Sequence, residues 1–268
     1  MSDRNLIARV GTVLVLLPGV LFLIWRGGLP FALLLSAVAA ICALELNGLP
    51  RPQLTAAAVV SAGGAFLIPI LHEVALGWLT VSAVLSAVVI LASADALLFE
   101  AEIANAPRRL GLAALGAVYP GILIASLLPL RQLPRGGWWI ILALAVTWLN
   151  DSCAYFAGRA FGRHKLYERI SPSKTWEGAA GGAAGSIVGA LVVQLFWIPE
   201  LPTWGAVIIG AGAAVLGPVG DLSESMLKRA FGAKDSGRLL PGHGGLLDRI
   251  DALLFNAPFV LLCARLLT

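Results

Sequence analysis

Charge is what this chain has least of. Its 268 residues include nineteen lysines and arginines and fifteen aspartates and glutamates, 13% charged by composition, against about a quarter in an ordinary soluble domain. A soluble all-helical protein would also need polar faces, which the apolar segments here lack. Cysteine is scarcer still. Cys42, Cys153 and Cys263 lie inside apolar segments without metal-type spacing. That argues against a zinc site or a disulfide framework and leaves them as small buried hydrophobes. There is no internal repeat and no low-complexity tail. No strand precedes the glycine-rich stretches, as a dinucleotide loop would require. The net charge of +4 comes from short loops, with no soluble basic domain through which to bind nucleic acid.

What the chain does have is apolar runs: 59% of its residues are hydrophobic and the mean hydropathy is +0.88. Runs long enough to cross ~30 Å of hydrocarbon recur along its length. Nine are expected, at residues 6–25, 29–48, 55–72, 76–99, 110–130, 137–158, 175–196, 204–226 and 251–267. The expected fold is an all-α polytopic membrane protein of about nine transmembrane helices. Only two basic residues, Arg4 and Arg9, stand at the start of the first run and no small-residue cleavage site follows it, so it reads as a retained helix. With nine spans, fifteen of the nineteen lysines and arginines share the side of the N-terminus. The positive-inside rule puts that side in the cytoplasm.

Residues 1–134 read as five scaffold spans with few ionisable groups, and residues 135–268 as the catalytic region. Glu45 and Asp95 are exceptions in the first half, most simply explained by snorkelling or by hydrogen bonds to a neighbouring helix. Polar residues concentrate in the second half. The sixth run ends "TWLNDSCAYFAGRAFG", and the basic loop "RHKLYERISPSKTWEG" opens the seventh. Ser171, Ser173, Lys174 and Thr175 fall at that helix start, where free N–H groups and hydroxyls suit a phosphate; a simple N-cap is the alternative. Gly181, Gly185 and Gly189 recur every four residues, a close-packing face for another helix.

In the eighth run, "GPVGDLSESMLKR" places Pro218 just before Asp221, and a kink or break is expected there. If helix resumes, Asp221, Glu224, Ser225 and Lys228 share one face. An acidic group at a broken helix in lipid must be paired, hydrated or metal-bound. The stretch "KDSGRLLPGHGGLLDRID" follows, from Lys234 to Asp251. Its glycines let backbone approach a ligand, and Asp248 and Asp251 are neighbours if helix has begun. His243 is an acid, a ligand or a turn residue.

Here the sequence resembles the phosphatidate cytidylyltransferase family, also called CDP-diacylglycerol synthase. The signature region reads "SMLKRAFGAKDSGRLLPGHGGLLDRID", residues 225–251, and "NDSCAYFAGRAFGRHKL" and "SPSKTWEGAAGG" resemble upstream family blocks. Ser173 and Cys153 depart from the residues usual in that family. The resemblance implies transfer of CMP from CTP to phosphatidic acid, giving CDP-diacylglycerol and pyrophosphate, and assembly as a homodimer. A phosphate monoester has its second pKa near ~6, so it is already an anionic nucleophile and needs no dedicated base. Mg²⁺, alone or with a second, monovalent cation, would bridge the two anions. Asp221 and Asp248 are the first candidates as ligands, Asp251 and Glu224 the next. Lys228, Arg229, Lys234, Asp235, His243 and Arg249 form the candidate catalytic group. Asp151, Tyr155, Ser171, Ser173, Lys174, Thr175, Ser225, Gly244 and Gly245 would bind substrate. An ion-coupled transporter would also use intramembrane carboxylates, but with repeated halves and mid-bilayer acids. A CDP-alcohol phosphotransferase or a prenyltransferase would need acidic motifs that are missing.

Overall fold

A computed structural model describes residues 17–50, 54–74, 77–100, 102–237 and 244–268. Helix α1 covers Leu17–Arg26. It is followed by α2 (Gly28–Gly48), α3 (Ala56–Glu73), α4 (Gly77–Phe99), α5 (Ala106–Ala125) and the short α6 (Leu127–Arg131). Helix α7 (Gly136–Phe161) leads into β1 (Lys165–Tyr167) and β2 (Ser171–Thr175), and α8 (Trp176–Trp197), α9 (Thr203–Ala230) and α10 (Leu247–Leu267) complete the chain. Eight helices among the described residues are long and apolar enough to cross a bilayer, with α5 and α6 forming one of them. Of the expected run at 6–25, the part before residue 17 lies outside the described residues, and the rest is α1. Leu97, Phe156, Leu195 and Leu266 are each more than two-thirds exposed. A surface of that kind suits lipid, and the protein is an all-α polytopic membrane protein.

Two local results differ from the sequence reading. Helix α9 runs through Pro218 without ending, so the expected break is absent. Proline removes a single N–H, and the surrounding turns keep their bonds; Pro69, Pro120 and Pro258 sit inside other helices in the same way. The basic loop before α8 is an antiparallel hairpin, with Lys165 opposite Thr175 and Tyr167 opposite Ser171. Glu177 in the first turn of α8 holds its base, accepting from the backbone N–H groups of Arg163 (3.1 Å) and His164 (3.2 Å). Lys165 Nζ donates across the hairpin to the Pro172 carbonyl at 2.5 Å.

The chain packs as two compact units. One comprises the helices up to Leu128 together with Ala233–Arg249. Its helices approach through small residues: Gly64 on α3 faces Val88 and Ala117, and Gly121 on α5 faces Ala65 and Ile68. Several polar groups pair across its helices. Asn47 donates to Ser61 Oγ (3.0 Å), which donates to the Ala113 carbonyl (2.7 Å). Buried Asp95 takes Arg109 Nη2 at 2.6 Å, and Glu100 takes Nη1 at 3.1 Å. Asp95 is therefore a helix-to-helix tie between α4 and α5.

The second unit comprises Pro129–Gly232 and Ile250–Thr268. Its α7 and α8 lie so close that Gly181 packs on Ala157, Gly185 on Cys153 and Gly189 on Leu149. This is the expected four-residue glycine face. Trp138 stacks on Trp197 at 4.6 Å at the end of the pair remote from the hairpin. Cys42, Cys153 and Cys263 are not in disulfides.

Candidate functional site

Helix α9 carries the polar centre of the second unit. Gly220 lets it approach α10 so closely that a Cβ there would stand 2.6 Å from the Asp251 carbonyl oxygen. The next residue, Asp221, is thereby held near Asp251, and the two carboxylates repel each other electrostatically, with Asp151 on α7 adding to the field. Lys174 on β2 answers that negative charge, with its Nζ 2.5 Å from Asp221 Oδ2. Ser225, one turn along α9, donates to Asp221 Oδ1 at 3.2 Å. Asp251 itself accepts the Ala252 N–H at 2.7 Å.

Lys174 and Asp221 border a cleft of about 410 Å³ within this unit, lined also by Asn150, Asp151, Tyr155, Arg159, Ser173 and Thr175, by Leu166 of β1 and by small residues of α7, α8 and α9. Thr175 is also the N-cap of α8, accepting from Gly178 N at 3.1 Å. Ser171 lies at the far end of β2, opposite Tyr167. One turn beyond Asp221, buried Glu224 pairs with Lys228. Glu224 is thus the partner of a lysine. Arg229 is exposed in the last turn of α9. Among the described residues no group of three His, Cys, Asp or Glu side chains is set to hold a metal.

The remaining signature residues belong to the first unit. Asp248, in the first turn of α10, accepts from Gly245 N (2.8 Å) and Ser236 N (3.0 Å). Gly244 has φ +80°, a conformation open to glycine, and packs against the Asp248 carboxylate. Glu45 on α2 completes this loop. It accepts from Leu246 N (2.9 Å), Leu247 N (2.8 Å) and Ser236 Oγ (3.2 Å). Those two N–H groups are among the four that a helix start leaves without intrahelical acceptors. Lys234 and Asp235 line an open hollow beside Glu45, and Arg249 is exposed. Gly242 and His243 lie outside the described residues.

The profile of the cytidylyltransferase family matches residues 7–267. The chain belongs to the cytidylyltransferase family. A phosphatidate cytidylyltransferase of Brucella suis is 38% identical over 264 residues, 96% of this chain and 93% of that protein. The phosphatidate cytidylyltransferase of Bacillus subtilis is 36% identical over 251 residues, 90% of each chain. That of Staphylococcus saprophyticus is 47% identical over 122 residues, covering 46% of this chain and 47% of the relative.

Two residues of this cytidylyltransferase do more than their sequence context announced. Glu45 orders the signature loop and Glu177 orders the hairpin. The available signal was a carboxylate at the end of an apolar helix; Glu45 also has no basic residue at helical spacing to pair with.

Proposed function

We propose that this protein transfers CMP from CTP to phosphatidic acid, releasing pyrophosphate and leaving CDP-diacylglycerol in the membrane. Family membership and the names of its relatives support this reading. The observation that carries it is the Lys174–Asp221 pair in a cleft lined by both charged and apolar residues. A lipid phosphate needs both environments at once.

The lipid phosphomonoester is the nucleophile; it attacks the α-phosphorus of CTP and pyrophosphate leaves in line. The work of such a site is positioning and charge neutralisation. Lys174 and Lys228 supply positive charge, and their acidic partners Asp221 and Glu224 fix where each ammonium stands. Ser173 and Tyr155 offer hydroxyls from the cleft wall. The donor set also fits Mg²⁺. Asp221 and Asp251 are hard oxygen donors from adjacent helices, each in the other's repulsive field. Mg²⁺ typically takes one or two carboxylates and fills its remaining positions with water and substrate oxygens. When bound, the ion would neutralise charge on the phosphates.

With nine spans, the lysine and arginine asymmetry supports a cytoplasm-facing cleft; a kink at Pro218 rests on the missing proline N–H, and an inner-membrane location on the bacterial relatives. Homodimer assembly rests on the family resemblance. The test is purified protein in detergent given CTP, Mg²⁺ and phosphatidic acid. Liponucleotide and pyrophosphate should appear in equal amounts, and neither should form when Mg²⁺ is chelated. No product with Mg²⁺ present would remove the proposal.

A further inference from the structure

Asn150 precedes Asp151 on α7, yet the two side chains face differently, as successive helical residues must at about 100° apart. Asp151 is exposed, whereas Asn150 is 2% exposed. Its amide fits where two glycines leave room. A Cβ on Gly217 of α9 would be 3.3 Å from Asn150 Nδ2, and one on Gly182 of α8 would overlap Asn150 Oδ1. The side chain borders the cleft, and among the described residues no group hydrogen-bonds to it. Buried amides are rarely left in that condition.

Its neighbours are committed elsewhere. Thr147 Oγ1 donates to the Ala143 carbonyl at 2.8 Å and accepts from Asn256 Nδ2 at 2.9 Å, one turn of α7 deeper. That chain of donors fixes which way round the Asn256 amide stands. Asn150 is therefore an uncharged, pre-positioned donor, and the cleft it borders has apolar lining from Ala154, Leu166, Ala179 and Pro218 beside the charged Asp151, Arg159, Lys174 and Asp221. A neutral donor is not what a triphosphate needs, since Lys174 and Arg159 already suit it. Such a donor is right for the part of a phospholipid just below its phosphate, where apolar glycerol and acyl carbons surround an ester carbonyl, a neutral acceptor.

We propose that Asn150 is a specificity-determining residue whose side-chain amide donates a hydrogen bond to a glycerol ester carbonyl of the lipid substrate. This rests on the cytidylyltransfer reading and deepens it: the site would distinguish diacyl from dialkyl lipid phosphates, which differ in having or lacking the two ester carbonyls.

The experiment compares diester phosphatidic acid with its diether analogue of equal chain length, in the same detergent micelles with saturating CTP and Mg²⁺. The unaltered protein should show kcat/KM about three- to tenfold higher for the diester, the size of one neutral hydrogen bond. In Asn150→Leu that ratio should fall to about one, while Asn150→Ser, smaller and still polar, should keep part of it; KM for CTP should not follow the ratio. Equal use of both lipids by the unaltered protein overturns the proposal without any variant. So does a variant that loses both lipids equally, which would mean a structural role such as a water joining Asn150 to the unpaired Oδ1 of Asn256. A raised KM for CTP with an unchanged lipid ratio overturns it too. No product from either lipid overturns the cytidylyltransfer reading itself.

Discussion

Lys174 on the hairpin and Asp221 on α9 meet at 2.5 Å, and both line the same cleft. The pair has two consequences. Under the proposed function, the lysine would meet an incoming phosphate and so free the aspartate to hold a cation. Surface ion pairs of this exposure contribute little to stability, so variants of the pair separate a role in turnover from one in folding.

Asp221→Asn should therefore lower turnover by about 10²-fold or more while the detergent-extracted yield and melting temperature stay near those of the unaltered protein. Lys174→Ala should act chiefly on KM for CTP or lipid. Initial rates across a Mg²⁺ titration check both. Near-normal rates for Asp221→Asn at saturating Mg²⁺ would remove this cleft from the mechanism.

The Glu224–Lys228 pair is buried, and removing one partner of such a pair leaves an uncompensated charge at a cost of about 3–5 kcal/mol. Lys228→Met should lower both the melting temperature and the rate. The double variant Glu224→Gln with Lys228→Met should recover much of the stability and none of the rate. Recovery of both would make the pair purely structural.

Gly220→Val tests whether the approach of α9 to α10 sets the site. The added side chain would push against the Asp251 carbonyl and the Phe255 ring, separating Asp221 from Asp251. Turnover should fall, and the Mg²⁺ concentration for half-maximal rate should rise several-fold. An unchanged Mg²⁺ dependence would show that the spacing of these two carboxylates is immaterial.

Glu45→Ala should free the N–H groups of Leu246 and Leu247 and the Ser236 hydroxyl. An unsatisfied buried donor costs about 1–3 kcal/mol. Hydrogen exchange at residues 245–247 should quicken, with a smaller effect in Glu45→Gln, which keeps one acceptor oxygen. Unaltered protection in Glu45→Ala would contradict the assigned contacts.

Hydropathy placed the long helices to within a few residues because the bilayer sets their length, and the four-residue recurrence of Gly181, Gly185 and Gly189 announced the α7–α8 contact. Asp221 and Lys174 stood out as charges in an apolar chain. What could not be read was pairing over distance. Glu45 and Leu247 are 202 residues apart, and no periodicity links them. The hairpin escaped for a different reason: its strands span three and five residues, too short for alternation to show, and a glutamate in the following helix holds its base. At Pro218 the sequence signal was genuine but overstated, since one missing N–H does not end a helix of 28 residues.

The grip of Glu45 on the signature loop also governs how this molecule must be made. Glu45 leaves the ribosome 202 residues before Leu247, so the carboxylate waits without the Leu246 and Leu247 donors until the start of α10 has been made. A chain stalled before α10 would leave Glu45 without the backbone groups it holds.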